Sequence, residues 1–278
     1  MIKKIVIPTD GYGLEDHVIR YVARAFPFAD FYVISVINTY DRGVQLTTLL
    51  HKEIKESAEK ALHRAKNILE DEGIHNIKLK VLEGIPSQKI AEYARKKDAD
   101  LIALHVYSRK RTVSSQRMGS TIKSVLKRCT PPVLTLTEEC KNFPIKNILF
   151  ATDGTRKSER AKNFAILLSS ALKANLEVLH VSQGSEGDEH ARNILINTEW
   201  KASFLNVKVK KSMDQGDIAE KILEYAKNND LIVMGIGRRI LFWHYIGHIT
   251  QAVCTHSHIP VILVCSIKKR WEKRISHR

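Results

Sequence analysis

At 278 residues the chain is too long for one typical domain and suits two of roughly 140 residues each. A composition of 44% hydrophobic and 27% charged residues, with 13 Gly and 7 Pro, excludes a disordered or low-complexity protein, and no apolar run approaches the roughly 18 residues of a membrane span. The net charge of +15 is shared about equally by the two halves and suits either an anionic partner or a lysine-rich solvated surface; only the end, Lys268 to Arg278, reads as a concentrated basic tail.

Met1-Ile2-Lys3-Lys4 leads directly into Ile5-Val6-Ile7, so no leader peptide is expected and the chain reads as cytoplasmic. Short, branched apolar runs near 3–8, 31–37, 77–82, 101–106 and 133–137 have the length of buried strands in a parallel sheet. Between the second and third, Ile54, Ala58, Ala61, Leu62, Ala65 and Leu69 repeat at helical spacing, and Gly73 is placed to stop that helix. This alternation predicts a doubly wound sheet, with any ligand held in the crevice at the carboxyl ends of the strands.

The same pattern then starts again. Ile5 to Gly11 matches Ile148 to Gly154, ending both times in Thr-Asp-Gly; Lys89-Ile90-Ala91-Glu92-Tyr93-Ala94 answers Lys221-Ile222-Leu223-Glu224-Tyr225-Ala226, each followed by Asp-Leu-Ile. Gly119 and Pro132-Val133 answer Gly247 and Pro260-Val261 at identical spacing. The expected fold class is therefore α/β, with two tandem five-stranded parallel-sheet domains over residues 1–140 and 144–267. The short segment between them predicts that they pack together as a pseudo-dimer. Residues 187–204 are more polar than the long helix they replace, so the repeats diverge there.

A strand ending in Thr-Asp-Gly places Asp10 and Asp153 at the crevice, where either could accept hydrogen bonds from a ribose or a base, or could equally open a turn or cap a helix. In the second half Gly235-Ile236-Gly237, nine residues and then Gly247-His248 follow the fourth strand. Glycines there admit a close backbone approach, and a helix N-terminus offers unsatisfied N–H groups to an anion.

These features resemble the universal stress protein family across essentially the whole chain. That family has a first-strand Asp, and after a fourth strand ending in Val-Met a motif of Gly, two residues, Gly, nine residues and Gly-Ser or Gly-Thr. The resemblance implies an adenine nucleotide alpha hydrolase-like fold, a dimerising domain and, in one subgroup, binding of ATP or AMP. It nominates Thr152, Asp153, Val181, Met234, Gly235, Gly237, Gly247 and His248 as nucleotide-binding, with Mg as a candidate companion of the phosphates. Thr9, Asp10, Ile37, Gly119, Ser120 and Thr121 are the weaker set in the first half.

Three departures matter. One residue rather than two separates Gly235 from Gly237, and His248 replaces the hydroxyl residue; in the first half His105-Val106-Tyr107-Ser108-Arg109 has lost both early glycines. Arg109, Lys110, Arg111 and Arg117 then suit a solvated basic loop better than a phosphate clamp. The clustered His244, His248, His256 and His258 lack a completing carboxylate or cysteine, so no metal site is expected. The four cysteines form no close sequence pair and read as reduced structural thiols.

The expected function is a regulatory or sensor protein binding adenine nucleotide in its second domain and forming homo-oligomers. Membrane association and specific nucleic-acid binding are not expected. No catalytic triad, paired-carboxylate site or Walker loop is present, so no catalytic residue is assigned and a slow ATPase is the most enzymatic alternative. The other alternative is a ligand-free interaction scaffold in a stress response.

Overall fold

The computed structural model describes residues 2–39, 48–107, 118–140, 142–155, 158–182, 188–236 and 246–265. The first half runs β1 (Lys4–Pro8), α1 (Asp16–Ala25), β2 (Asp30–Ile37), α2 (Thr48–Asp71), β3 (Ile77–Glu83), α3 (Pro86–Lys96), β4 (Leu101–His105), α4 (Ser120–Arg128) and β5 (Val133–Leu136). The second repeats it as β6 (Asn147–Thr152), α5 (Glu159–Leu172), β7 (Asn175–Ser182), α6 (Asp188–Ser203), β8 (Val209–Gln215), α7 (Ile218–Ala226), β9 (Leu231–Ile236), α8 (His248–His256) and β10 (Val261–Cys265).

The ten strands form one sheet in the order β3-β2-β1-β4-β5-β10-β9-β6-β7-β8. Pairing is parallel within each half, as the apolar runs predict. The halves meet where β10 pairs antiparallel with β5, in the register Val261 with Thr135, Ile262 with Leu134 and Leu263 with Val133. Two hydroxyls stitch the same seam: Thr135 Oγ1 donates to the Val261 carbonyl at 3.2 Å and Thr137 Oγ1 to the Ser257 carbonyl at 2.9 Å. The predicted packing of the two halves is thus a shared sheet, and its central strands β5 and β10 are buried at every position.

Burial follows position in the sheet. Strands inside it are covered on both faces and read as unbroken apolar runs. β3, expected to be equally buried, lies at an edge and alternates, with Lys78 and Lys80 exposed, which discourages pairing with another chain. On α2 the predicted face is confirmed: Ala58, Ala61, Leu62, Ala65 and Leu69 are all buried against the sheet. The repeated Asp-Leu-Ile has a structural cause, since Asp100 Oδ2 accepts from the amides of Lys3 and Lys4, and Asp230 Oδ2 from those of Lys146 and Asn147. Each carboxylate therefore anchors the start of the neighbouring first strand.

Gly11 shows what the Thr-Asp-Gly turn demands. Its φ is +81°, and an added Cβ would lie 2.7 Å from Ala61 Cβ on α2. Left-handed backbone and overpacking together predict that Gly11→Ala costs about 2–4 kcal/mol, read as a lower urea midpoint. Gly73→Ala has a similar φ of +79° but open space around it, and is expected to cost only about 1 kcal/mol.

Candidate functional site

In the second half the sheet order brings the carboxyl ends of β7, β6 and β9 side by side. Thr152 pairs with His180 and Ala151 with Met234, so Thr152, Val181, Met234 and Gly235 line neighbouring strand ends. The Nδ1–H of His180 donates to the Thr152 carbonyl at 3.1 Å. Beyond Thr152 the chain turns sharply, with Gly154 at φ +71°.

Asp153 is exposed, and its Oδ1 accepts from the amide of Thr155 at 3.0 Å and from the Thr155 hydroxyl at 2.9 Å. This is an Asx-type turn, one of the two roles open to it from sequence. Both bonds use Oδ1, and among the described residues none reaches Oδ2. The turn is tied to the fold by neutral groups: Thr152 Oγ1 donates to Ser158 Oγ at 3.0 Å, and Ser158 Oγ donates to the Thr155 carbonyl at 2.8 Å.

Gly247 is the N-cap of α8, and His248 is its exposed first residue. The φ of Gly247 is an ordinary −54°, and among the described residues a Cβ there would meet nothing within 4 Å. Neither backbone strain nor packing against the described residues requires glycine at this position. Gln251 Nε2 donates to the Ile246 carbonyl at 2.9 Å and holds the entry to the helix. Nearby in the fold, the guanidinium of Arg160, buried in the first turn of α5, donates to the Cys265 carbonyl at the carboxyl end of β10. Gly237 and His244 lie outside the described residues.

The first half has the same frame but different contents. The counterpart of Ser158, six residues after the strand-end threonine in each repeat, is Glu15. Its buried carboxylate accepts from the Thr9 hydroxyl, and its Oε1 also accepts from the amides of Asp10 and Gly11, each at 3.1 Å. An anion of the chain's own therefore occupies the donors of this turn. Asp10 Oδ1 accepts from the Tyr12 amide at 3.1 Å, repeating the Asx turn.

Counted from the shared Asp-Leu-Ile, His105 and Tyr107 stand where the second half has Gly235 and Gly237. The predicted crowding takes a definite form. His105 Nδ1 lies 3.3 Å from His17 Nε2, its ring stacks edge-on against Tyr107, and the Tyr107 hydroxyl donates to the Thr255 carbonyl of the other half at 2.5 Å. Gly119 is buried as the N-cap of α4, Ser120 and Thr121 are exposed, and Ile37 is buried at the end of β2. Arg109, Lys110, Arg111, Arg117 and the tail 268–278 lie outside the described residues.

Sequence reasoning missed Glu15, Ser158, His17 and Arg160. Aligning the repeats past Thr-Asp-Gly would have exposed them, because Glu15 answers Ser158 and His17 answers Arg160 at equal spacing. Among the described residues no cluster of three His, Cys, Asp or Glu could hold a metal, and no helix is long and apolar enough to cross a membrane.

The chain matches the family model described as Universal stress protein family twice, over residues 1–136 and 144–264. It is similar to universal stress protein MJ0531 of Methanocaldococcus jannaschii, with 32% identity over 149 residues covering 51% of this chain and 85% of that protein. It is also similar to a universal stress protein of Mycolicibacterium smegmatis, 24% identical over 94% of this chain and 96% of the relative. Among solved structures, a universal stress protein from Archaeoglobus fulgidus has the same fold, with a TM-score of 0.78 at 20% identity over 95% of this chain and 97% of that one.

The His17 site makes stability depend on pH. Burial holds the imidazole below its ordinary 6.5, outweighing a hydrogen bond with the Leu136 backbone and the fields of Asp16, Glu139 and Glu15, which all raise it. A base whose folded pKa is lowered stabilises the fold while neutral; the contribution is complete above about 6.5 and is lost as pH falls towards the folded value. His17→Asn should therefore shrink the drop in thermal midpoint between about pH 7.5 and about pH 5. His63→Asn, on the exposed face of α2, should leave that drop unchanged.

Proposed function

Since the chain belongs to the universal stress protein family, we propose that its second half binds adenine nucleotide, ATP or AMP, at the carboxyl ends of β6, β7 and β9, and that the first half serves as its structural partner. The contrast between the two Thr-Asp-Gly turns carries this reading. In the second half the turn is held by the neutral Ser158, whereas in the first a buried carboxylate takes up the amides of Asp10 and Gly11. A phosphate brought to the first turn would meet Glu15; at the second it would not.

In this reading Asp153 offers Oδ2 to the ribose, while Val181 and Met234 supply apolar contact for the base. Gly247 lets the phosphates approach the first amides of α8, with Gly235 giving clearance at the end of β9; Gly237 joins this set by sequence alone. Arg160 adds a fixed positive charge at the end of β10. Mg would accompany a triphosphate, held by its oxygens. The protein acts as a sensor, because occupancy by nucleotide stabilises one arrangement of the sheet ends and loops.

A second reading, a docking module, is favoured by one surface. Ile196, Trp200, Phe204 and Leu205 are exposed on and just after α6, where the first repeat carries His63, Asn67, Asp71 and Glu72. Further copies would meet such a surface rather than β5 and β10, which already pair with each other.

Thermal denaturation with ATP and AMP, with and without Mg, separates these readings. At a nucleotide concentration about a hundredfold above Kd, binding contributes about 2.7 kcal/mol and should raise the midpoint by about 5–10 °C. Gly247→Val should weaken binding at least about tenfold, since its side chain enters the ligand's path, and circular dichroism of the variant checks that it folds. Asp10→Asn should leave the shift intact. No shift at millimolar nucleotide in wild type would reject nucleotide binding and leave the docking module. Phosphate release measured on the same samples reports any hydrolysis.

A further inference from the structure

The seam between the halves brings together two thiols 136 residues apart in sequence: Cys129, the C-cap of α4, and Cys265, the last residue of β10. Their sulfurs lie 3.9 Å apart, and both residues are buried. The Cys265 thiol also points a weak hydrogen bond at the Leu126 carbonyl, at 3.8 Å. Each half supplies one member of the pair.

The register of β5 and β10 defines a pseudo-two-fold through Leu134 and Ile262. Under it, Cys129 and Cys265 exchange with Ser257 and Thr137. At that mirrored corner the seam is closed by the hydrogen bond from Thr137 Oγ1 to the Ser257 carbonyl. Two weakly hydrogen-bonding thiols take its place at the other corner. The remaining cysteines are differently placed: burial pushes the Cys254 thiol up to about 12 against a hydrogen bond with Thr135, and burial likewise raises Cys140.

We propose that Cys129 and Cys265 form a reversible disulfide, making this corner of the seam a redox modification site that covalently locks the two halves. A disulfide bond is about 2.05 Å long, so the sulfurs need to close only about 2 Å, from a helix end and a strand end. The oxidant is hydrogen peroxide. One thiol, as thiolate, attacks a peroxide oxygen; the O–O bond breaks, and the sulfur becomes a sulfenic acid as the departing hydroxide takes a proton to leave as water. The second thiol then attacks that sulfur, the S–S bond forms, the S–O bond breaks, and a second water leaves with the remaining thiol proton. Two thiols and one peroxide give one disulfide and two waters. A dithiol reductant reverses it by exchange. The cross-link closes a loop running from α4 through the whole second half, so it restricts the unfolded chain and prevents the halves from parting.

The test uses the full chain in native buffer, treated with hydrogen peroxide, alkylated with N-ethylmaleimide and digested without reduction. Mass spectrometry should find a peptide pair joined through Cys129 and Cys265 within one chain. Two of the four thiols should be lost to alkylation and regained after dithiothreitol, and the thermal midpoint should rise on oxidation and return on reduction. Cys265→Ser and Cys129→Ser should each abolish the linked pair, while Cys140→Ser should keep it. Retention of all four alkylatable thiols by wild type, sulfinic acid at either residue without a linked pair, or linkage only through Cys140, Cys254 or a second chain would overturn the proposal. The wild-type peptide map decides the matter even if a serine variant fails to fold.

Discussion

The antiparallel pairing of β5 with β10 is the contact on which the rest of this structure depends. Each half alone would end in a strand whose outer edge has unpaired backbone groups and whose side chains are mostly apolar, a combination that is costly in water. Pairing the two edges satisfies those groups and turns two small sheets into one, with its most buried strands at the middle. The tyrosine, threonine and cysteine contacts across the seam are all built on that register.

Within this near-symmetric frame the repeats have been filled differently. At one strand end a carboxylate is folded into the turn; at the other a serine does the same mechanical work without charge. Imidazoles and a phenol stack where the second half has glycines. A half-buried histidine answers a buried arginine. Each exchange places a larger or more acidic group in the first half than its counterpart in the second. Architecture is thus shared between the repeats, while the groups that fill their strand-end turns are not.

The parts of this organisation visible in the sequence are those governed by local spacing. Ala58 to Leu69 read as a helix face because burial follows the helical period, and the interior strands read as unbroken apolar runs because they are covered on both sides. β3 was misjudged as fully buried. Its alternating lysines follow from an edge position, which is a property of sheet order rather than of the segment itself. Asp153 was legible as a crevice residue. Its hydrogen bonds to Thr155 show that the turn role is filled, and leave any ligand to its second oxygen.

By itself, the sequence determined that there are two α/β repeats, where the first half's strands lie and which half retains its glycines, since duplication, periodicity and glycine content are all carried by residue order; it put Gly235 and Ile236 after the fourth strand, whereas β9 runs on to Ile236. Only the tertiary structure decided that the halves share one sheet, that Glu15 fills the first turn and that Cys129 faces Cys265. Those facts depend on which surfaces meet in space. A strand edge, a buried carboxylate and a pair of thiols 136 residues apart acquire their partners only when the whole chain has folded.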